Sequence, residues 1–282
     1  MIDNRLVWLL IPALILMAQN AQTGSNPPPR RVELQSHRGE SHDAPENTMA
    51  SFNLGWQRND DACELDIHLT KDGQLIVCHD FDTERTSGKQ TKLIIKDSTL
   101  ADLRKVDVGS WKDPKFAGEK MPTLDEVLTS IPPGKRLFIE IKCGPEAVPA
   151  LADSVARSGK ASQQLVIISF NADALEAAKK KLPQLKAYYL SSLKQNKETK
   201  QWGPSAAEIV GIAKKIGADG VDVQSKPPLD AIFVKAVKDA GLEMYAWTID
   251  DPDEARRLIE YGVDGITTNR SAWMREQLWG NR

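Results

Sequence analysis

Glu64 and Asp66 stand two residues apart, as do Glu140 and Lys142. In an extended strand that spacing puts both members of each pair on one face, with Leu65 and Ile67, or Ile139 and Ile141, on the other. Carboxylates turned inward are costly unless paired or bound to a cation. Glu64, Asp66 and Glu140 offer only oxygen, which suits a hard divalent cation, Mg²⁺ or Ca²⁺, rather than zinc. Arg38 is a fixed positive fork and Lys142 a second cation, both suited to an anionic substrate. His37 and His79 can act as an acid–base pair. A metal, two cations and two histidines are the parts needed for attack at a phosphodiester. The competing account is a purely structural salt-bridge network of Glu64, Asp66, Glu140, Arg38 and Lys142. It explains each residue singly, but not why all of them fall at strand ends.

These residues need strands that end together. The stretch ELQSHRGESHDAPENT, residues 33–48, begins as an apolar/polar alternation and breaks at His37-Arg38-Gly39. Further strand-like segments are 62–67, 137–142, 165–169, 186–190, 219–223, 242–247 and 264–268. Helix-like segments alternate with them. Asn47/Thr48 open the first, Thr123 opens 124–130, and 146–158 follows. Asn171 opens 172–182 and Ser205 opens 206–216. Pro227-Pro228 lead into 229–240, Asp251-Pro252 start a helix to Tyr261, and Ser271 caps the last. Eight strands alternating with eight helices predict an α/β fold, a (β/α)₈ TIM barrel. A doubly wound open sheet is the alternative, but the chain has no G-x-G-x-x-G turn. Thr70-Lys71-Asp72-Gly73 reads as a hairpin turn within 62–78. Residues 81–120, polar and with a helix-like piece over 98–106, read as a small insertion on a βα loop, the face where barrel active sites form.

Composition is that of a globular protein, with 41% apolar and 27% charged residues and a net charge of −2. No basic excess points to nucleic acid. Residues 6–18 form an apolar run too short for a comfortable membrane span, which needs about 20 residues. With the small residues after it, the run predicts a signal peptide over 1–21, a proline-rich linker over 22–31 and a barrel over 32–282. Export follows, to the periplasm or outside the cell, with no stable membrane span after cleavage. A retained N-terminal anchor is the competing expectation. Cys63, Cys78 and Cys143 each adjoin a residue of the chemical set, so they should face away from it as buried apolar groups. A Cys63–Cys78 bridge is the minor alternative.

The ordered motifs His37-Arg38-Gly39, Pro45-Glu46-Asn47-Thr48, Glu64-Leu65-Asp66-Ile67, Thr70-Lys71-Asp72-Gly73 and His79-Asp80 resemble the signature of the glycerophosphodiester phosphodiesterase family. Pro122-Thr123-Leu124-Asp125-Glu126, Glu140-Ile141-Lys142, Trp247-Thr248-Ile249-Asp250 and Gly262-Val263-Asp264-Gly265-Ile266-Thr267-Thr268-Asn269 extend the resemblance over roughly residues 32 to 279. It implies a barrel that hydrolyses small-molecule phosphodiesters, deacylated phospholipids, to glycerol 3-phosphate and an alcohol. By position it implies Glu64, Asp66 and Glu140 as metal ligands and His37 and His79 as the acid–base pair. Arg38 and Lys142 become the phosphate-side cations, and Glu46 a carboxylate near the metal. Asn269-Arg270 departs from the family, where many members carry Asp, and so does Val223-Gln224-Ser225. His42 and His68 fall outside the matched positions. Trp247 reads as a wall for the glycerol, and Asp80 either orients His79 or caps the insertion. Lysophospholipids or sugar-phosphate diesters are alternative substrates. A non-catalytic binding protein and a glycosidase are alternatives of other classes.

Overall fold

In the computed structural model, which describes residues 30–280, the sequence alternation becomes a closed sheet. The strands are β1 (Glu33–Ser36), β2 (Ala62–Leu69), β3 (Leu75–Val77), β4 (Arg136–Ile141), β5 (Leu165–Ser169) and β6 (Lys186–Ser191). They continue as β7 (Lys194–Gln195), β8 (Trp202–Gly203), β9 (Gly220–Gln224), β10 (Glu243–Trp247) and β11 (Gly265–Thr268). The helices are α1 (Met49–Gln57), α2 (Leu100–Leu103), α3 (Leu124–Ser130), α4 (Val148–Ser158) and α5 (Ala172–Lys181). After them come α6 (Ala206–Lys215), α7 (Ala231–Asp239), α8 (Pro252–Tyr261) and α9 (Ser271–Trp279). Eight parallel strands run β1-β2-β4-β5-β6-β9-β10-β11, and β11 pairs with β1 to close the ring. This is the (β/α)₈ barrel expected.

Alternation sorts the strand side chains. Cys63, Leu65 and Ile67 of β2 enter the outer core between sheet and helices, as do Ile139 and Ile141 of β4. Phe138, Tyr188 and Tyr245 point inward and pack against one another with ring centroids 5.1–6.0 Å apart. Gly265 makes room for that layer, because a Cβ there would collide with the Tyr245 ring. With aromatic rings filling the N-terminal half of the barrel, the polar inward residues are left at the other end, where the strands stop.

The helix starts follow their capping residues. Thr48, Thr123 and Ser205 each make a capping box, and Asn171 caps α5. Two starts differ from expectation. The helix expected over 229–240 begins at Ala231, with Asp230 as its cap. Ser271 is the first residue of α9 and does not cap it; the Glu40 carboxylate accepts the Ala272 N–H instead, at 3.0 Å. The β2–β3 hairpin forms as read. Of the helix expected over 98–106 only α2 forms, since Val106 and Val108, two apart, both enter a small core with Ile76, Cys78, Ile95, Leu103 and Met121. That spacing belongs to extended chain, not helix. The short β7–β8 hairpin was not foreseen. All three cysteines are free, and Cys63 and Cys78 are buried without a bridge. The expected signal peptide and most of the linker lie outside the described residues. Among those described, no helix is long and apolar enough to cross a membrane.

Candidate active site

The C-terminal strand ends converge on a cavity of about 180 Å³. His37, Arg38, Glu64, His79, Glu140 and Lys142 line one side; Phe170, Leu190, Asp222, Trp247 and Thr267 line the other. His37 and Arg38 follow β1. Arg38 takes a left-handed φ of 56° and Gly39 one of 76°, a cost that recurs at functional sites. Gly39 admits no side chain, because a Cβ would lie 2.7 Å from that of Ser51. Tight contact with α1 thus fixes the turn that presents His37 and Arg38.

Glu64, Asp66 and Glu140 are buried, and each offers an oxygen to one set whose atoms lie within 4.8 Å of one another. Their environments split them. Burial works against ionisation of Asp66, but Arg38, Lys142, His79 and the Asn47 amide outweigh it and bring the carboxyl down to about 2. Asn47 Nδ2 donates to Asp66 at 2.8 Å from a left-handed backbone. Burial, then Asp66, pushes Glu140 up to about 8, and burial with both neighbouring acids holds Glu64 well above the usual range. Burial and like charge thus push two of the three acids toward the protonated form and leave the negative charge on Asp66, the expected response of buried acids forced together. Lys142 lies 3.0 Å from Glu140 and 3.6 Å from Asp66.

Glu46 stands apart from the three-acid set. Its carboxylate accepts from Arg38 at 2.9 Å and from both terminal nitrogens of Arg85 at 2.8 Å. Arg85, which no sequence argument singled out, also donates to Asp80 at 2.7 Å. Asp80 in turn contacts His79 Nδ1 at 2.7 Å, so it both orients the histidine and ties down the insertion. Burial opposes its charge, but bonds from Arg85 and His79 prevail and hold it at about 2.

The two histidines have different partners. Asn269 Nδ2 donates to Asp250 at 2.6 Å, which leaves its Oδ1 facing His37 Nδ1 at 2.8 Å. His37 therefore carries its proton on Nδ1 and keeps a lone pair on Nε2. Burial and Arg38 lower it to about 4. His79 is lowered too, by burial first, with Asp66 and Asp80 acting the other way. Trp247 lines the cavity, donates to the Asp222 backbone carbonyl at 3.2 Å and meets Phe170 edge-on at 5.6 Å. His68 turns away, its ring against Phe81, and His42 pairs with Asp43 at the surface.

The sequence pattern of the Glycerophosphoryl diester phosphodiesterase family matches residues 37–272. The chain belongs to that family. A glycerophosphodiester phosphodiesterase of Caldanaerobacter subterraneus subspecies tengcongensis is 33% identical over 244 residues, 83% of this chain and 92% of the relative. One from Bacillus subtilis is 31% identical and covers 94% of this chain and 95% of its own. An Oleispira antarctica phosphodiesterase, solved with the product sn-glycerol-3-phosphate, superposes with a TM-score of 0.78 at 29% identity, covering 87% of this chain and 96% of that one. The chain is an enzyme, a glycerophosphodiester phosphodiesterase by family, and its barrel is the family's barrel. Arg85 and Asp222 are residues of the candidate site that pattern reading passed over, while Asn47 and Asp250 fell within the matched motifs without a site role. Asp222 had a signal, since Val221-Asp222-Val223 alternates as Glu64 and Asp66 do; Arg85 had none.

Proposed function

We propose that this enzyme hydrolyses glycerophosphodiesters to glycerol 3-phosphate and an alcohol, with a divalent cation and two histidines of divided role. The observation that carries the reading is one cavity lined by two cations, two histidines, and Glu64 and Glu140 of a buried cluster of three acids completed by Asp66. The fit to Mg²⁺ or Ca²⁺ rests on the donors: three carboxylates, no thiol or imidazole among them, two of them raised by burial and by the charge of their neighbours. Glu64, Asp66 and Glu140 would hold the ion, which when bound supplies Lewis-acid polarisation of the phosphate oxygens. Arg38 and Lys142 attract and orient the phosphodiester.

His37, with an amide on Nδ1 and a free Nε2, takes the proton from the attacking oxygen. His79, with the Asp80 carboxylate behind it to stabilise its protonated form, gives one to the leaving alcohol. The glycerol hydroxyl next to the phosphate is the first nucleophile, because it is already held beside phosphorus. The ester bond to the alcohol breaks as the ring closes. Water then opens the cyclic phosphate, and the histidines exchange roles. His37→Ala and His79→Ala should each lose about 10²–10⁴-fold in kcat. A substrate with an activated leaving group needs no acid and should restore only His79→Ala. Equal restoration of both, or undiminished activity in either, sinks this division of labour.

A second substrate reading, lysophospholipids, draws on one observation. A groove of about 810 Å³ adjoins the site at Lys142 and is lined by Leu69, Phe81, Ile94 and Ile95. Phe81 and Ile94 are 66% and 46% exposed there, the kind of apolar surface that marks a binding groove. Faster cleavage of acylated than deacylated diesters, lost in Phe81→Ser, would favour it. Export is proposed on the sequence argument alone.

A further inference from the structure

The cavity is lined by a buried carboxyl with one oxygen that no group among the described residues satisfies. Asp222 lies in β9 opposite Leu190 of β6 and Tyr245 of β10. Both of those point into the barrel, where they pack on the inner aromatic layer, so the register turns Asp222 inward as well. Val221 and Val223 on either side of it enter the outer core. Asp222 is 1% exposed, lines the cavity, and its buried Oδ1 has no hydrogen-bond partner. It is not one of the three acids whose oxygens cluster. Among the described residues no ion pair reaches it, and the charge it feels is that of Glu140, another acid. Buried polar atoms in folded proteins are nearly always paired, and an orphan one in a ligand cavity calls for a partner from the ligand.

A substrate cation is a poor candidate for that partner, because Arg38, Lys142 and the divalent cation proposed for the three clustered acids would all repel positive charge. A hydroxyl is neutral and can both donate and accept, so it matches a carboxyl in either protonation state. Trp247, held over this end by its bond to the Asp222 carbonyl, and Leu190 supply apolar walls for the carbon chain that would carry it. We propose that Asp222 binds a hydroxyl of the substrate's polyol arm remote from phosphorus, and that it makes the enzyme selective for hydroxylated arms. This rests on the phosphodiester reading above for the identity of the arm, but it is a claim about binding and needs no turnover.

The test is calorimetric binding to the full chain in Mg²⁺-containing buffer, with sn-glycerol 3-phosphate against propane-1,2-diol 1-phosphate, which lacks only the terminal hydroxyl. The wild type should prefer the glycerol compound by about 10–100-fold, the scale of a lost bond to a buried polar group. Asp222→Leu should reduce the preference to within about threefold, while Asp222→Asn, which keeps a donor and an acceptor, should retain part of it. A wild type that binds both equally or neither overturns the proposal without any variant having to fold. So does an Asp222→Leu protein that keeps the preference, or one that loses affinity for choline instead. A wild type that shows the preference yet cleaves no glycerophosphodiester supports the Asp222 assignment and contradicts the proposed hydrolysis.

Discussion

The chain Asp250–Asn269–His37 sets the surroundings of the proposed base, and exchanging its first two members should move the pKa of His37 predictably. Asn269 carries no charge, yet its Oδ1 sits 2.8 Å from His37 Nδ1. Asn269→Asp alone would press a carboxylate against Asp250, whose oxygens lie 2.6 and 2.8 Å from the Asn269 side-chain and backbone nitrogens. The double exchange Asn269→Asp/Asp250→Asn keeps one acid and one amide and moves the charge next to the imidazole. An adjacent opposite charge raises a histidine by about 1–3 pKa units, or about 1.4–4 kcal/mol in favour of the protonated form. His37, now at about 4, would rise to about 5–7. A base must be neutral, so the acid limb of kcat/KM shifts to higher pH by the same amount. With a shift of about two units, the neutral fraction at pH 5 falls from about nine-tenths to about one-tenth, and activity there falls about tenfold. NMR titration of the His37 ring in the metal-free protein reads the pKa directly, and the pH–rate profile reads its consequence. A folded double variant whose His37 titrates as in the wild type, with an unmoved acid limb, would refute the idea that Asn269 controls the base.

Other expectations follow from the same geometry. Glu140 is raised from 4.5 to about 8, so the folded state holds a proton that the unfolded chain has given up. Its contribution to stability is complete below about pH 4.5 and is lost as pH rises through about 8. The melting temperature in chelator should therefore fall over that window, and Glu140→Gln should flatten the fall. Arg85→Ala removes the bridge between Glu46 and Asp80 and should lower kcat/KM about 10–100-fold, as loss of an outer support typically does, with little change in melting temperature. Intact-mass analysis of the exported protein should find a start near residues 19–22; a membrane-bound product still carrying Met1 would establish the anchor instead.

The sequence made legible whatever obeys a local period. Strand alternation separated Glu64 and Asp66 from Leu65 and Ile67, and capping residues marked most helix starts. All eight barrel strands lie within one or two residues of their expected bounds. What stayed hidden depends on distant partners. Ser271 looked like a cap, but Glu40, far away in sequence, does that work. Arg85 sits in a polar insertion with nothing local to distinguish it, and only the fold brings it between Glu46 and Asp80. The tautomer of His37 likewise depends on Asp250 orienting Asn269, a relation across two loops.

The central claim, metal-dependent hydrolysis of glycerophosphodiesters at the Glu64–Asp66–Glu140 cluster, is tested most directly by product analysis. Several glycerophosphodiesters would be incubated with the enzyme, with Mg²⁺ or Ca²⁺ and then in excess chelator, alongside Glu64→Gln. The account predicts glycerol 3-phosphate and free alcohol from the wild type, little product in chelator, recovery on adding the cation back, and a steep loss in Glu64→Gln. Full activity in chelator, or in Glu64→Gln, would contradict it.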